Sequence, residues 1–167
     1  LRSPYNEELA IGAVAEDGTT FLNELIIEEL NISQEYIEKE ISHELQEIKR
    51  LTKLYNHENK SSLERNVIDF KNKTIVIVDD GAATGSTIIA AIRSVRKNMN
   101  PKRLIIAVPV SPKATINRLN NEEIDQIEVI TSPQNRNFVS IEQYYQNFDQ
   151  VTDKQVIEII QRNLKSS

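Results

Sequence analysis

The chain has 167 residues, 39% of them apolar, and a net charge of −5. That length suits one globular domain able to bury a core, and an acidic balance without a basic run counts against duplex nucleic acid or an anionic membrane as partner. Cysteine is absent, which removes disulfides, thiol nucleophiles and cysteine zinc sites. With no apolar run near the ~18 residues of a membrane span and no signal peptide, a reducing, cytoplasmic setting is expected.

Taken in chain order, Leu9 to Ala15 reads as a strand, Glu16-Asp17-Gly18 as a turn and Thr19 to Leu22 as a short return strand, together a hairpin. Asn23 caps a brief helix through about Leu30, which Asn31 breaks. Ser33 begins a long helix to about Tyr55. Only half a capping box is present, because Tyr36 stands where Glu or Gln would complete it. Ile37, Ile41, Leu45, Ile48, Leu51 and Tyr55 step by three and four and form one apolar stripe, suited to a core or to a second subunit. His43 and His57 have no partner at ligand spacing and read as surface residues. Asn56 to Lys71 is polar and reads as a loop with a short extended piece. Thr74 to Val78 is expected to be a buried strand, Ser86 to Asn98 a helix, Leu104 to Val110 a second buried strand, Ser111-Pro112 the start of a helix to about Leu119, and Ile127 to Thr131 a third strand. Thr152-Asp153 caps a last helix through Leu164. Strand, helix, strand, helix, strand implies an α/β fold with a parallel sheet flanked by helices, preceded by the hairpin and the long amphipathic helix.

The chemistry gathers where the Thr74–Val78 strand ends. Asp79 and Asp80 are adjacent carboxylates at the carboxyl edge of a parallel sheet, where ligands bind. Two like charges there need a cation or several hydroxyl donors. Gly81-Ala82-Ala83-Thr84-Gly85-Ser86-Thr87 follows, a run of small residues that lets a ligand reach backbone N–H groups. Gly81 and Gly85 are read as tolerating unusual backbone angles. The next helix aims its N-terminus at the same place, which favours a phosphate. Carboxylates for hydroxyls beside a phosphate cradle describe a sugar phosphate. A P-loop is excluded because Gly85-Ser86-Thr87 lacks its lysine, and a dinucleotide fingerprint because G-x-G-x-x-G is absent. A phospho-receiver domain has paired acids at a strand end but does not need the small-residue loop.

Ile75 to Thr87, IVIVDDGAATGST, resembles the phosphoribosyl pyrophosphate motif of type I phosphoribosyltransferases. LAIGAVAEDG, AVPVSP and the tail SPQNRNFVSIEQYYQNFDQVTD resemble an uncharacterised microbial group of that family, so the likeness covers most of the chain. The resemblance implies transfer of a phosphoribosyl group from phosphoribosyl pyrophosphate to a nucleobase-like small-molecule acceptor, with release of pyrophosphate, in nucleotide metabolism. Asp79 and Asp80 are then the catalytic pair, which holds the ribose 2- and 3-hydroxyls and, through them, magnesium (Mg2+) indirectly. Ala83, Thr84, Gly85, Ser86 and Thr87 hold the 5-phosphate. Ala83 stands where some purine-specific members carry an acid, so a general base must come from elsewhere or from the acceptor. Lys113 is a candidate acceptor contact, with a solvated surface lysine as the alternative. Phe138 and Val139 match the base-stacking segment, with core packing as the alternative, and Ser140 stands where the family tends to carry Gly.

The family also implies an earlier strand and a pyrophosphate-binding loop. The chain opens at Leu1 without them, so residues 1–167 are expected to form a single phosphoribosyltransferase-like domain lacking those elements, with Arg2 as the possible remnant of a basic stretch. A homodimer is expected. The competing reading is a non-catalytic regulatory domain that binds phosphoribosyl pyrophosphate without turnover.

Overall fold

The computed structural model describes residues 1–6, 9–57 and 69–165, with the side chains at 56–57, 135 and 163–165 outside that description. The expected polar loop Asn56–Lys71 therefore lies mostly outside the described residues. The first sheet is an antiparallel hairpin of β1 (Gly12–Val14) and β2 (Thr20–Leu22). β1 is shorter than the strand expected over Leu9–Ala15, because residues ahead of it pair elsewhere. Arg2 bridges Ala10, the Ile11 N–H donates to Leu1 O at 3.0 Å, and the Ser3 N–H donates to Leu9 O at 3.0 Å. Arg2 is thus tied into the fold by its backbone, and its N–H also donates to Glu40 Oε1 at 3.0 Å.

α1 (Glu24–Glu29) starts where Asn23 Oδ1 accepts from the Ile26 N–H, and Asn31 ends the turn at φ 49°. α2 (Gln34–His57) starts where Ser33 Oγ accepts from the Tyr36 N–H at 3.3 Å. Ile37 of the apolar stripe is buried in a small cluster with Ile11 and Ile32, while Ile41 to Tyr55 are half-buried. The far end of α2 is held by polar contacts, with the Tyr55 hydroxyl donating to Asp153 Oδ1 at 2.9 Å.

The second sheet is parallel, in the order β3 (Thr74–Val78), β4 (Arg103–Val110), β5 (Gln126–Thr131). α3 (Ser86–Met99) and α4 (Lys113–Leu119) make the crossovers, and α5 (Asp153–Lys165) closes the described chain. Ile88, Ile89 and Ile92 of α3, Leu104, Ile106 and Val108 of β4 and Leu119 of α4 form the main core. Each such side chain contributes about 1.5–3 kcal/mol on burial. Phe21 of the hairpin packs on the same cluster, with the Arg93 guanidinium 5.2 Å above its ring.

The expectation that β3 is a buried strand is corrected. Its side chains alternate. Ile75 and Ile77 face the core, whereas Val76 is 49% and Val78 72% exposed, and on β5 Ile130 is 86% exposed. α3 and α4 cover one face of the sheet, so the strand follows the two-residue period of a sheet packed on one side.

The hairpin turn is pinned to the far end of α3. Asp17 accepts from the Thr19 hydroxyl at 2.7 Å and from the Asn98 amide at 2.7 Å. These bonds, that from Thr19 foremost, hold its carboxyl well below the ordinary value of 3.8. A depressed folded pKa gives stability that is present above the ordinary value and lost as pH falls below it. Asp17→Ala should therefore lower the melting temperature at pH 7, and the gap to the parent should close as melts are taken down through pH 3.8.

Candidate functional site

β3 ends at Val78, and its ladder extends one residue further, with the Asp79 N–H donating to Ala107 O at 3.4 Å. This places the acid pair at the carboxyl edge of the sheet. Asp79 is half-buried and Asp80 exposed. The Asp80 N–H donates to Asp79 Oδ1 at 3.0 Å. Partial burial raises the Asp79 carboxyl above its ordinary value, the Asp80 charge adds to this, and the bond from the Asp80 N–H opposes it. A raised folded pKa means a stabilising contribution that is full below the ordinary value of 3.8 and lost as pH rises through the folded value. At neutral pH the folded chain therefore carries a charge it holds unfavourably. Asp79→Asn should melt higher than the parent at pH 7, with the difference shrinking as pH approaches 3.8.

The loop that follows is fixed through its carbonyls. Three buried or half-buried side chains on the β4–α4 segment each donate to a successive carbonyl. Ser111 Oγ donates to Ala82 O at 3.0 Å, Thr115 Oγ1 to Ala83 O at 2.5 Å and Arg118 Nη1 to Thr84 O at 2.9 Å. Gly85 O takes the first helical bond, from the Ile89 N–H at 2.9 Å. With these carbonyls engaged, the N–H groups of Ala83, Thr84, Gly85, Thr87 and Ile88 have no partner among the described residues. Unpaired N–H groups at the first turn of a fourteen-residue helix are suited to receive an anion.

The two glycines act for different reasons. Gly85 has φ 76°, the left-handed region, and a Cβ there would lie 3.0 Å from Thr115 Cγ2. Gly81 does not have positive φ, which corrects the expectation that it serves an unusual backbone angle. It serves space instead, because a Cβ there would meet Ile141 Cγ2 at 2.8 Å and Val110 Cγ1 at 3.0 Å. The cavity around Asp79 to Ile88, bordered by Ile141, has a volume of about 240 Å³.

Of the hydroxyls, Thr84 and Ser86 are bonded to each other at 3.0 Å, Ser86 is buried, and Thr87 is exposed. Ala83 is exposed, with no acid at that position. Lys113 is exposed at the start of α4 and does not line the cavity around Asp79 to Ile88. Phe138 is half-buried and stacked on Tyr144 with centroids 6.1 Å apart and ring planes 16° from parallel, so one of its faces is taken within the chain. Val139 is 87% exposed. The Gln143 carboxamide ties this segment, accepting from the Val139 and Ser140 N–H groups and donating to Asn137 O. His43 is exposed, as expected; the His57 side chain lies outside the described residues.

Ser111, Thr115, Arg118 and Tyr145 join the site without having stood out in the sequence. The Tyr145 hydroxyl donates to Asp80 O at 2.6 Å, which straps the tail to the acid pair. The signal in the sequence is faint: Thr115 and Arg118 lie three apart on α4 and so share a face. Thr115→Val keeps the volume but leaves Ala83 O unmet. It should cost about 1–3 kcal/mol of stability and weaken phosphate binding at the loop, while Thr115→Ser should restore both. Thermal melts and phosphate titration check this.

Magnesium takes oxygen ligands and keeps several waters, usually bound by one or two carboxylates plus substrate phosphates. Among the described residues no group of three or more His, Cys, Asp or Glu is arranged to hold a metal. An exposed carboxylate beside a phosphate cradle fits a metal that arrives with its substrate.

The profile of the phosphoribosyl transferase domain matches residues 3–148. The chain belongs to the phosphoribosyl transferase domain family. Two proteins of Mycobacterium tuberculosis, strains CDC 1551 and H37Rv, provisionally named phosphoribosyl transferases, are each 28% identical over 162 residues, or 97% of this chain. The chain spans 34% of the length of each. The crystal structure of TT1426 from Thermus thermophilus is similar with a TM-score of 0.66 and 29% identity, over 96% of this chain and 71% of that one. The α/β fold with its parallel sheet and N-terminal hairpin is thus shared with a solved relative. No described helix is long and apolar enough to cross a membrane.

Proposed function

We propose that the chain binds phosphoribosyl pyrophosphate through Asp79–Thr87 and transfers its phosphoribosyl group to a nucleobase-like acceptor. The observation that carries this reading is the pinning of the Ala82, Ala83 and Thr84 carbonyls by Ser111, Thr115 and Arg118, which frees a row of N–H groups beside two carboxylates. The 5-phosphate sits on those N–H groups and on the Thr87 hydroxyl. Asp79 and Asp80 accept from the ribose 2- and 3-hydroxyls, which fixes the ring and answers the repulsion between the acids.

In the reaction the bond from the anomeric carbon to the pyrophosphate oxygen breaks and a bond to an acceptor nitrogen forms. Positive charge develops on the sugar, and the neighbouring carboxylates stabilise it. Asp79 and Asp80 would hold magnesium indirectly, together with the bound substrate, and the metal would supply charge neutralisation for the departing pyrophosphate. With Ala83 at the position of the missing acid, the acceptor's proton leaves to solvent or to pyrophosphate. The half-buried stripe of α2, Ile41 to Leu51, offers a surface for a second copy, and a homodimer is the assembly we assign.

Pyrophosphate release tests this reading. The chain is supplied with phosphoribosyl pyrophosphate, magnesium and a panel of nucleobases. Release that depends on one class of base supports transfer. Binding of phosphoribosyl pyrophosphate without release by any base would replace transfer with the regulatory reading.

A further inference from the structure

A second cavity, of about 600 Å³, opens between α4 and the turn after β5. Lys113, Ala114, Asn117, Gln134 and Arg136 line it. Its two walls are joined by the Lys113 N–H donating to Pro133 O at 3.4 Å. Lys113 and Gln134 follow the carboxyl ends of β4 and β5, which run parallel to β3, so this groove shares the sheet edge of the Asp79–Thr87 loop. Its size lies in the range of small-molecule sites, roughly 300–1,000 Å³.

The lining has one sign of charge. Lys113 and Arg136 are exposed, and neither forms an ion pair among the described residues, although the chain carries a net charge of −5. Among the described residues no carboxylate borders the groove, and Asn117 and Gln134 add neutral amide donors. Two uncompensated cations facing one cavity favour a small anion, with the arginine suited to paired contacts on a carboxylate or phosphate and the lysine acting as a point charge. Two residues beyond Arg136, Phe138 rests on Tyr144, and the adjacent Tyr145 bonds Asp80 O. The groove is therefore connected to the ribose-binding acids through one short, internally tied segment.

We propose that this groove is an anion subsite that selects an acceptor bearing a carboxylate or phosphate group. The proposal rests on the transfer reading above and adds the acceptor's charge to it. The test uses the 15N-labelled chain at low ionic strength, titrated with phthalate (a dicarboxylate of nucleobase size) and with inorganic phosphate. Amide shifts are expected at residues 113–117 and 134–137, and K113Q/R136Q should weaken phthalate binding by at least ~10-fold. D79N/D80N should leave it unchanged, and K113Q/R136Q should still bind phosphoribosyl pyrophosphate. In the pyrophosphate-release assay, carboxylated bases should be preferred over neutral ones, and the preference should vanish in K113Q/R136Q. Equal phthalate affinity in parent and K113Q/R136Q, or shifts confined to residues 81–87, would overturn the subsite. Anion binding at the groove by a chain that binds no phosphoribosyl pyrophosphate would overturn the acceptor assignment through failure of the transfer reading, while leaving a bare anion site that the two variants tell apart.

Discussion

Asp79→Asn together with Asp80→Asn should abolish measurable binding of magnesium phosphoribosyl pyrophosphate while the chain remains folded. Hydrogen bonds to a charged group contribute about 1.5–3 kcal/mol each, so loss of two such contacts costs roughly 3–6 kcal/mol, or about 10²–10⁴ in Kd. The fold has no stake in the charges: Asp80 is exposed, and the half-buried Asp79 is held above its ordinary ionisation range. Stability is thus expected to hold or rise as the ligand is lost, the pattern of a residue kept for function. Calorimetric titration beside a thermal melt reads both. Retained binding in a folded double variant would remove the acid pair from the site.

The second large effect concerns α3, the helix that carries the proposed phosphate cradle. Ile89 is fully buried between α3 and the sheet, four residues after Gly85. Ile89→Ala should cost about 2–5 kcal/mol through lost burial and the cavity left behind, with the melting temperature falling by roughly 2–4 °C for each kcal/mol in a chain of this size. Ile89→Val should cost about 0.5–1.5 kcal/mol. Because the Ile89 N–H also closes the first helical turn on Gly85 O, the larger cavity should loosen the cradle and weaken phosphate binding in the chain that stays folded. Loss of under ~1 kcal/mol for the alanine variant would mean that α3 is not seated on the sheet as described.

Much of this architecture is legible in the sequence because it rests on local signals. The stripe from Ile37 to Tyr55 announces α2, Asn23, Ser33 and Thr152 mark helix starts, and the Asp79–Thr87 run announces the loop. What escapes depends on distant parts of the chain. TIVIV is apolar at nearly every position, so nothing in it says that Val76 and Val78 stay exposed. The need for Gly at position 81 comes from Ile141, sixty residues on, not from backbone angle. The donors of Ser111, Thr115 and Arg118 act across 29 to 34 residues, and that of Tyr145 across 65, distances no short motif encodes. Loop composition shows a run of small residues. The side chains that fix its carbonyls come from the fold.

The central claim, that Asp79–Thr87 is a ribose-phosphate site, is tested most directly by mapping. Magnesium phosphoribosyl pyrophosphate is titrated into the 15N-labelled chain and the amide resonances followed. The account requires saturable shifts at Ala83, Thr84, Gly85, Thr87 and Ile88, the amides left free by the pinned carbonyls, with weaker shifts at Asp79 and Asp80. Binding that leaves those amides unmoved, or no binding by a folded chain, would contradict it.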